Sequence, residues 1–244
     1  KFGKLDRWVL DSAFPDRPVY IHEFSAHHGL ANSIALKEAG VNAETVNPPG
    51  GSFKKNAEGQ PTGELVETAT WFVQQHIPKL SEDINLAAVA WASRKASSFG
   101  ITSIQESAGN REALQAFKVV DQSNRLNQRA AVHVVLKSSQ FGLASFEDLE
   151  QLLSERDKYA SQRVETDYVK MWVDGSPTPP YFTEAGFDDE SNAIMTQNLL
   201  IESAKLTETV IRLDEEAMKV KMHVAGAGAA HAALNAIEAA ILNA

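Results

Sequence analysis

From residue 101 onward, short apolar runs alternate with amphipathic stretches along the chain. Apolar runs rich in β-branched residues are typical of strands, whereas apolar residues that recur every three or four positions are typical of helices. Four such pairs in succession predict parallel βα units, and the unbroken apolar character of the runs fits strands that are covered on both faces. The predicted strands are 101–105, 130–136, 168–173 and 220–224, and the helices that follow them are 111–123, 146–159, 197–216 and 229–242.

The first hundred residues are less regular and carry stronger turn signals. An extended run over 18–24 precedes a short helix, which is capped by Asn32 or Ser33 and stops at Gly40. Three prolines and four glycines make residues 47–63 a loop or a short hairpin. Helical periodicity then predicts helices over 64–76 and 85–99.

Two architectures are compatible with the βα repeat. Repeats of roughly 30–50 residues suit a (β/α)₈ TIM barrel, of which four units are visible. A doubly wound sheet would need a Gly-x-Gly-x-x-Gly turn, and the best match, at residues 226–231, lacks the third glycine and the later acidic residue. Small residues there are better explained by close packing of a helix on a strand. The pattern therefore favours part of a TIM barrel over a dinucleotide-binding sheet.

Composition narrows the classes of function. Lys and Arg number 23 against 32 Asp and Glu, and a net charge of −9 without any basic run disfavours a nucleic-acid partner. The absence of Cys excludes disulfides, thiolate zinc sites and cysteine nucleophiles. No apolar stretch approaches about 18 residues, so neither a transmembrane helix nor a membrane partner is predicted. The expected location is cytoplasmic, with any targeting segment lying before Lys1.

Two side chains stand out because working residues in a parallel barrel lie at the C-terminal ends of the strands. Lys170 interrupts the third apolar run, where a charge is costly unless it is paired, neutralised or modified. His223 ends the fourth run, and a neutral imidazole in such a place is a common metal ligand. Plainer interpretations stay open, since Lys170 could reach water from an edge strand and His133, among valines, fits a packing role.

Six segments in a fixed order carry a family resemblance. The first spans residues 17–36 and contains Arg-Pro-Val, His27, Asn-Ser and Ala-Leu, with Leu30 where the family has Trp. The others are Pro48-Pro-Gly-Gly51, Gly59-Gln-Pro-Thr-Gly63-Glu-Leu, Gly100-Ile-Thr-Ser-Ile-Gln105, Val169-Lys-Met-Trp-Val-Asp-Gly-Ser176 and His223-Val-Ala-Gly226. Together they resemble metal-dependent amidohydrolases of amidohydrolase family 3, the branch that includes N-substituted formamide deformylases.

The resemblance implies an α/β fold, a (β/α)₈ barrel of the metal-dependent hydrolase type, of which this chain holds about strands two to five. By position, Lys170 matches a metal-ligating lysine of the fourth strand, which can be carbamylated, and His223 matches the fifth-strand histidine ligand. His27 and Asp174 are assigned to substrate binding. Residues 1–63 are then an insertion between the first two barrel strands, and residues 64–244 form the partial barrel domain.

The implied reaction is hydrolysis of a C–N bond in a small amide or formamide, by water activated at one or two divalent ions, with zinc the expected metal. The family's first-strand His-x-His, sixth-strand His and eighth-strand Asp, the general base, have no match here. The sequence is therefore expected to be an internal piece that is inactive alone. The alternative is an inactive half-barrel that acts as a binding or assembly module, pairing with itself as a homo-oligomer or with another chain.

Overall fold

The computed structural model describes residues 6–136, 146–179 and 181–243. They contain one antiparallel and one parallel sheet, each of four strands. The antiparallel sheet has the order β1-β2-β4-β3 and holds a small apolar core that includes Leu36, Phe53 and Leu65. Its elements are α1 (Arg7–Ala13), β1 (Tyr20–His22), β2 (His28–Ala31), α2 (Ser33–Glu38), β3 (Gly51–Lys55) and β4 (Pro61–Glu67).

Two local predictions for this region are confirmed. The segment 47–63 contains the β3–β4 hairpin connection, and Asn32 caps α2, since its side-chain oxygen accepts a hydrogen bond of 2.9 Å from the Ala35 N–H. Asn32 also accepts from the Val19 N–H at 3.0 Å, so the same buried amide fixes the entry to β1.

The predicted helix over 64–76 is wrong in its first half. Residues 64–67 complete β4, where Val66 pairs with His28 on one side and Ser52 on the other. A 3₁₀ turn (Thr68–Thr70) and the short helix α3 (Trp71–Gln74) follow. The apolar residues at 65, 66, 69 and 73 are compatible with the periodicity of a helix and with that of a strand. Residues 64–67 form a strand because their backbone pairs with β2 on one side and β3 on the other. The predicted domain boundary at residue 63 thus falls inside β4, and the division into domains stays a prediction.

The second sheet is parallel, and its strands lie in chain order, β5-β6-β7-β8. A doubly wound sheet reverses its order at a switch point, and these strands do not. Within the described residues, none of the helices has the length and apolar character needed to span a bilayer. The elements are α4 (Glu82–Ser97), β5 (Ser103–Gly109), α5 (Arg111–Gln122), β6 (Arg129–Val135), α6 (Phe146–Ser154), β7 (Val164–Trp172), α7 (Ser203–Glu215), β8 (Lys219–His223) and α8 (Ala227–Asn243).

One face of the parallel sheet is concave. The main apolar core lies on the opposite face, between the strands and α5–α8. On the concave face, Lys221 of β8 donates hydrogen bonds to Gln105 Oε1 at 2.9 Å and Ser107 Oγ at 2.8 Å, both on β5. These outer strands would lie about 14 Å apart in a flat sheet, with their side chains perpendicular to it. Their side chains meet because the sheet curves, and the curvature directs this face toward a common centre.

Helix α5 provides a test of local capping. Asn110 precedes its first turn and accepts a hydrogen bond of 2.9 Å from the Ala113 N–H. We expect Asn110→Ala to lower the free energy of unfolding by about 1 kcal/mol, because that N–H loses its partner. Asn110→Ser keeps an acceptor and should stay close to the parent chain. Urea denaturation followed by circular dichroism measures both, and equal losses for the two variants would contradict the capping role.

Candidate functional site

Lys170 lies on an inner strand, so the interpretation that it reaches water from an edge strand is wrong. Its residue is only 6% exposed, and its Nζ lies 4.6 Å from the centroid of the Trp172 ring. Among the described residues no carboxylate lies within 4.0 Å of this ammonium group. Burial, and to a smaller extent the charge of Lys221, lower the pKa of Lys170 to about 8. The site therefore holds a buried amine without a countercharge.

His223 lies on the same concave face as Lys170. Pairing of β7 with β8 aligns Lys170 with Lys221 and Trp172 with His223, and residues paired in this way share a face. The two candidate ligands are thus on adjacent strands, one pleat repeat apart. His223 Nε2 lies 2.9 Å from the Gly175 carbonyl oxygen, which fixes the ring orientation. Burial lowers the pKa of His223, so the imidazole is neutral at pH 7, the form that binds metals.

His27 reaches this face from the antiparallel sheet. Its ring centroid lies 5.2 Å from that of His223. Its Nδ1 lies 2.8 Å from Glu67 Oε2, and the two residues are 5% and 2% exposed. The backbones of the same two residues are also in contact, since the Glu67 N–H donates to the His27 carbonyl oxygen at 2.7 Å. A buried carboxylate therefore fixes the imidazole that packs on His223.

Sequence reasoning missed Glu67, since the residue stood inside the predicted helix. It has φ 51° and ψ −125°, a conformation that is costly for a residue with a side chain. Its carboxylate also accepts a hydrogen bond from the Thr183 hydroxyl in the loop after β7. The available signal was a charged residue that directly follows the apolar pair at 65–66. Glu67 links the antiparallel sheet to the edge of the parallel sheet where the candidate ligands lie.

Asp174 is fully buried just beyond the end of β7. Its carboxylate accepts three backbone N–H groups: from Ala225 at 2.9 Å, from Gly226 at 2.8 Å and from Ala185 at 3.0 Å. These bonds join the loops that follow β7 and β8. A Cβ on Gly226 would lie 2.2 Å from the Ala185 oxygen, so the loops approach closely. Asp174 thus braces the site, while its assignment to substrate binding stays a prediction.

His133 also belongs to the concave face, one strand from Lys170. It is 1% exposed, and its ring centroid lies 5.0 Å from that of Tyr168. Burial, with a smaller contribution from Lys221, lowers the pKa of His133 to about 4, so the ring is neutral at pH 7. Considering only side chains in the described part of the chain, no group of three His, Cys, Asp or Glu is arranged to hold a metal ion.

Comparison with known proteins shows which family the chain resembles. Residues 4–244 match the amidohydrolase family. The putative amidohydrolase YtcJ of Bacillus subtilis is 28% identical over 237 residues, which cover 96% of this chain and 43% of YtcJ. The N-substituted formamide deformylase of Arthrobacter pascens is 41% identical over 63 residues, 26% of this chain and 12% of that enzyme.

A solved structure gives an independent likeness. An uncharacterized metal-dependent hydrolase from Pyrococcus horikoshii has a TM-score of 0.60 and 18% identity, over 96% of this chain and 44% of its own. At that identity the likeness concerns the fold. The chain spans 38–43% of the length of the two curated relatives that it matches over at least 90% of its own residues. Because the family match extends over residues 4–244, this chain belongs to the amidohydrolase family.

Proposed function

We propose that the protein containing this chain is a metal-dependent amidohydrolase that cleaves the C–N bond of a small amide or formamide. The observation that carries the proposal is a buried lysine without a countercharge beside a neutral histidine, both on the concave face of a parallel sheet. A charge in such surroundings is costly unless a ligand or a modification compensates it. Conversion of Lys170 to an anionic carbamate, which would bind a metal ion together with His223, supplies that compensation.

The proposed scaffold is part of a (β/α)₈ barrel, with β5–β8 as about strands two to five. Three features support it: strands in chain order, helices that cover the convex face, and the contact of Lys221 with Gln105 and Ser107 across the concave face. Residues 1–63 are proposed as the insertion that precedes the partial barrel at 64–244. The barrel places polar side chains at the C-terminal ends of its strands, where His223 and the loop with Asp174 lie.

The residues present fit a divalent metal through the chemistry of their donors. Addition of carbon dioxide to the neutral Lys170 amine forms an N–C bond, releases one proton and leaves an anionic carbamate. Lys170 then offers an oxygen ligand and His223 a nitrogen ligand, a combination that suits zinc. When bound, the metal activates a water molecule and polarises the carbonyl oxygen of the substrate.

The other residues of this chain position the reactants. Glu67 holds His27 against His223, so His27 presents a fixed imidazole where a substrate would lie. Asp174 holds the two strand-end loops in place. The formamide deformylase, 41% identical over its matched segment, supports a small amide or formamide as the substrate class. The aspartate proposed as general base is assigned to the part of the protein outside this chain.

The test is metal content and hydrolysis in the protein that contains this chain. We expect about one or two zinc ions per chain, and a loss of at least about 100-fold in hydrolysis of N-substituted formamides for Lys170→Ala and for His223→Ala. Lys219→Ala and His231→Ala, which change exposed residues of the same types, should keep metal and activity. A protein purified with zinc in the medium that retains no metal would refute the proposal and favour the inactive binding module.

A further inference from the structure

A cavity of about 560 Å³ adjoins the candidate site. It lies between the β3–β4 hairpin and the loop that follows β7, and its volume is in the range of pockets for small ligands. Glu67 forms part of its wall, and Glu67 contacts His27, which packs on His223. A ligand in this cavity would therefore have one end next to the proposed metal ligands.

The charge in this cavity comes from Lys54. Ser52 and Lys54 alternate along β3 and both line the cavity, while Phe53 between them is buried in the core of the antiparallel sheet. The Lys54 ammonium lies 4.0 Å from the centroid of the Tyr181 ring. Among the described residues it has no hydrogen-bond or ion-pair partner. This cation is half-buried, unpaired and directed at an aromatic wall.

The acidic groups nearby are already engaged. The Glu67 carboxylate is 2% exposed and binds His27 and Thr183. Glu64 accepts a hydrogen bond of 3.0 Å from the Tyr181 hydroxyl. The remaining lining combines the polar side chains of Ser52 and Gln197 with the apolar side chain of Phe182, which is 63% exposed. The cavity thus offers one available positive charge, hydrogen-bonding groups and an apolar surface.

We propose that this cavity binds the carboxylate of the substrate, so that the substrate is an amide bearing a carboxylate next to an apolar group. Lys54 pairs with the carboxylate, Phe182 covers the apolar part, and the amide end points past Glu67 toward His27 and His223. A partly desolvated ammonium binds a carboxylate more strongly than an exposed one does, because the effective dielectric constant is lower. The orientation of the amide rests on the proposed function, whereas the carboxylate preference does not.

The experiment compares two matched ligands on the protein that contains this chain, after a chelator has removed any metal. The probes are N-formylphenylalanine, as either enantiomer, and the corresponding uncharged N-formylphenylalaninamide, with binding measured by isothermal titration calorimetry. We expect the better enantiomer of the acid to bind at least about 10-fold more tightly than its amide. Lys54→Met should reduce this preference to less than about 2-fold, while Lys54→Arg should retain it.

A matched control comes from Lys55, the residue that directly follows Lys54 on β3. Lys55 donates to the carbonyl oxygens of Ala43 and Thr45 instead of facing the cavity, so Lys55→Met should keep the preference for the acid. Circular dichroism verifies that each variant is folded. Equal affinities for acid and amide in the parent chain, binding of neither up to about 10 mM, or a preference that survives in folded Lys54→Met would overturn the carboxylate subsite. Loss of the zinc site alone would refute the proposed hydrolase and leave this preference intact.

Discussion

Replacing Lys170 with Met should raise the free energy of unfolding of the metal-free chain at pH 7 by about 3 kcal/mol. The pKa of Lys170 is lowered from 10.5 to about 8, and each pH unit of such a shift corresponds to about 1.4 kcal/mol. The folded chain therefore carries the cost of a buried ammonium at neutral pH, and Met fills similar space without charge. Chemical denaturation in carbon-dioxide-free buffer with a chelator measures the difference.

The same cause predicts how the stability of the chain changes with pH. Between pH 8 and 10.5 the unfolded chain binds more protons at this residue than the folded chain does, so stability from this group rises with pH through that window. The advantage of Lys170→Met should be complete below pH 8 and vanish by about pH 10.5. Lys205→Met, at an exposed lysine paired with Glu208, should change stability by less than about 1 kcal/mol. A destabilised Lys170→Met at pH 7, or an advantage that does not vary with pH, would show that the amine is not a desolvated cation.

Replacing Asp174 with Ala should lower the free energy of unfolding by at least about 3 kcal/mol. Three backbone N–H groups from two loops would lose their shared acceptor inside the protein, and each buried donor without a partner costs about 1–3 kcal/mol. Asp174→Asn keeps one acceptor oxygen, so its free energy of unfolding should lie between those of the parent chain and Asp174→Ala. Urea denaturation of the three chains measures the order.

The control for Asp174 is Asp188, which also accepts backbone N–H groups, from Glu190 and Ser191, but is exposed. Because water can replace its contacts, Asp188→Ala should cost less than about 1 kcal/mol. If Asp174→Ala lowered the free energy of unfolding by as little as Asp188→Ala, the Asp174 carboxylate would not be what holds the two strand-end loops together.

The sequence predicts the parallel half of the fold well, because each strand and helix there has its own periodicity. Lys170 could be singled out for a related reason, since a charge inside an apolar run contradicts the pattern around it. β4 could not be predicted with the same means. Its apolar positions fit a helix as well, and its pairing with β2 and β3 depends on residues far away in the chain.

The contacts between the two sheets could not be predicted from patterns in the sequence. Glu67 meets Thr183 from 116 positions away, and Lys54 meets Tyr181 only because the loop after β7 lies against the hairpin. The sequence assigns Asp174 to substrate binding, which stays a prediction, but its three backbone partners depend on the path of two loops. Such contacts join residues that are far apart in the chain, so they depend on the complete fold.

Lys54 and Glu67 lie on the antiparallel sheet, whereas Lys170 and His223 lie on the parallel sheet. This separation has a practical consequence for redesign. The hairpin β3–β4 carries Ser52, Lys54 and Glu67 of the cavity wall, and it can be exchanged for the hairpin of another family member without changing any residue of β7 or β8. Chimeras made at this junction would change the hairpin side of the proposed substrate cavity and keep the proposed metal ligands Lys170 and His223. The junction between the two sheets is thus a suitable crossover point for chimeras designed to change ligand selectivity.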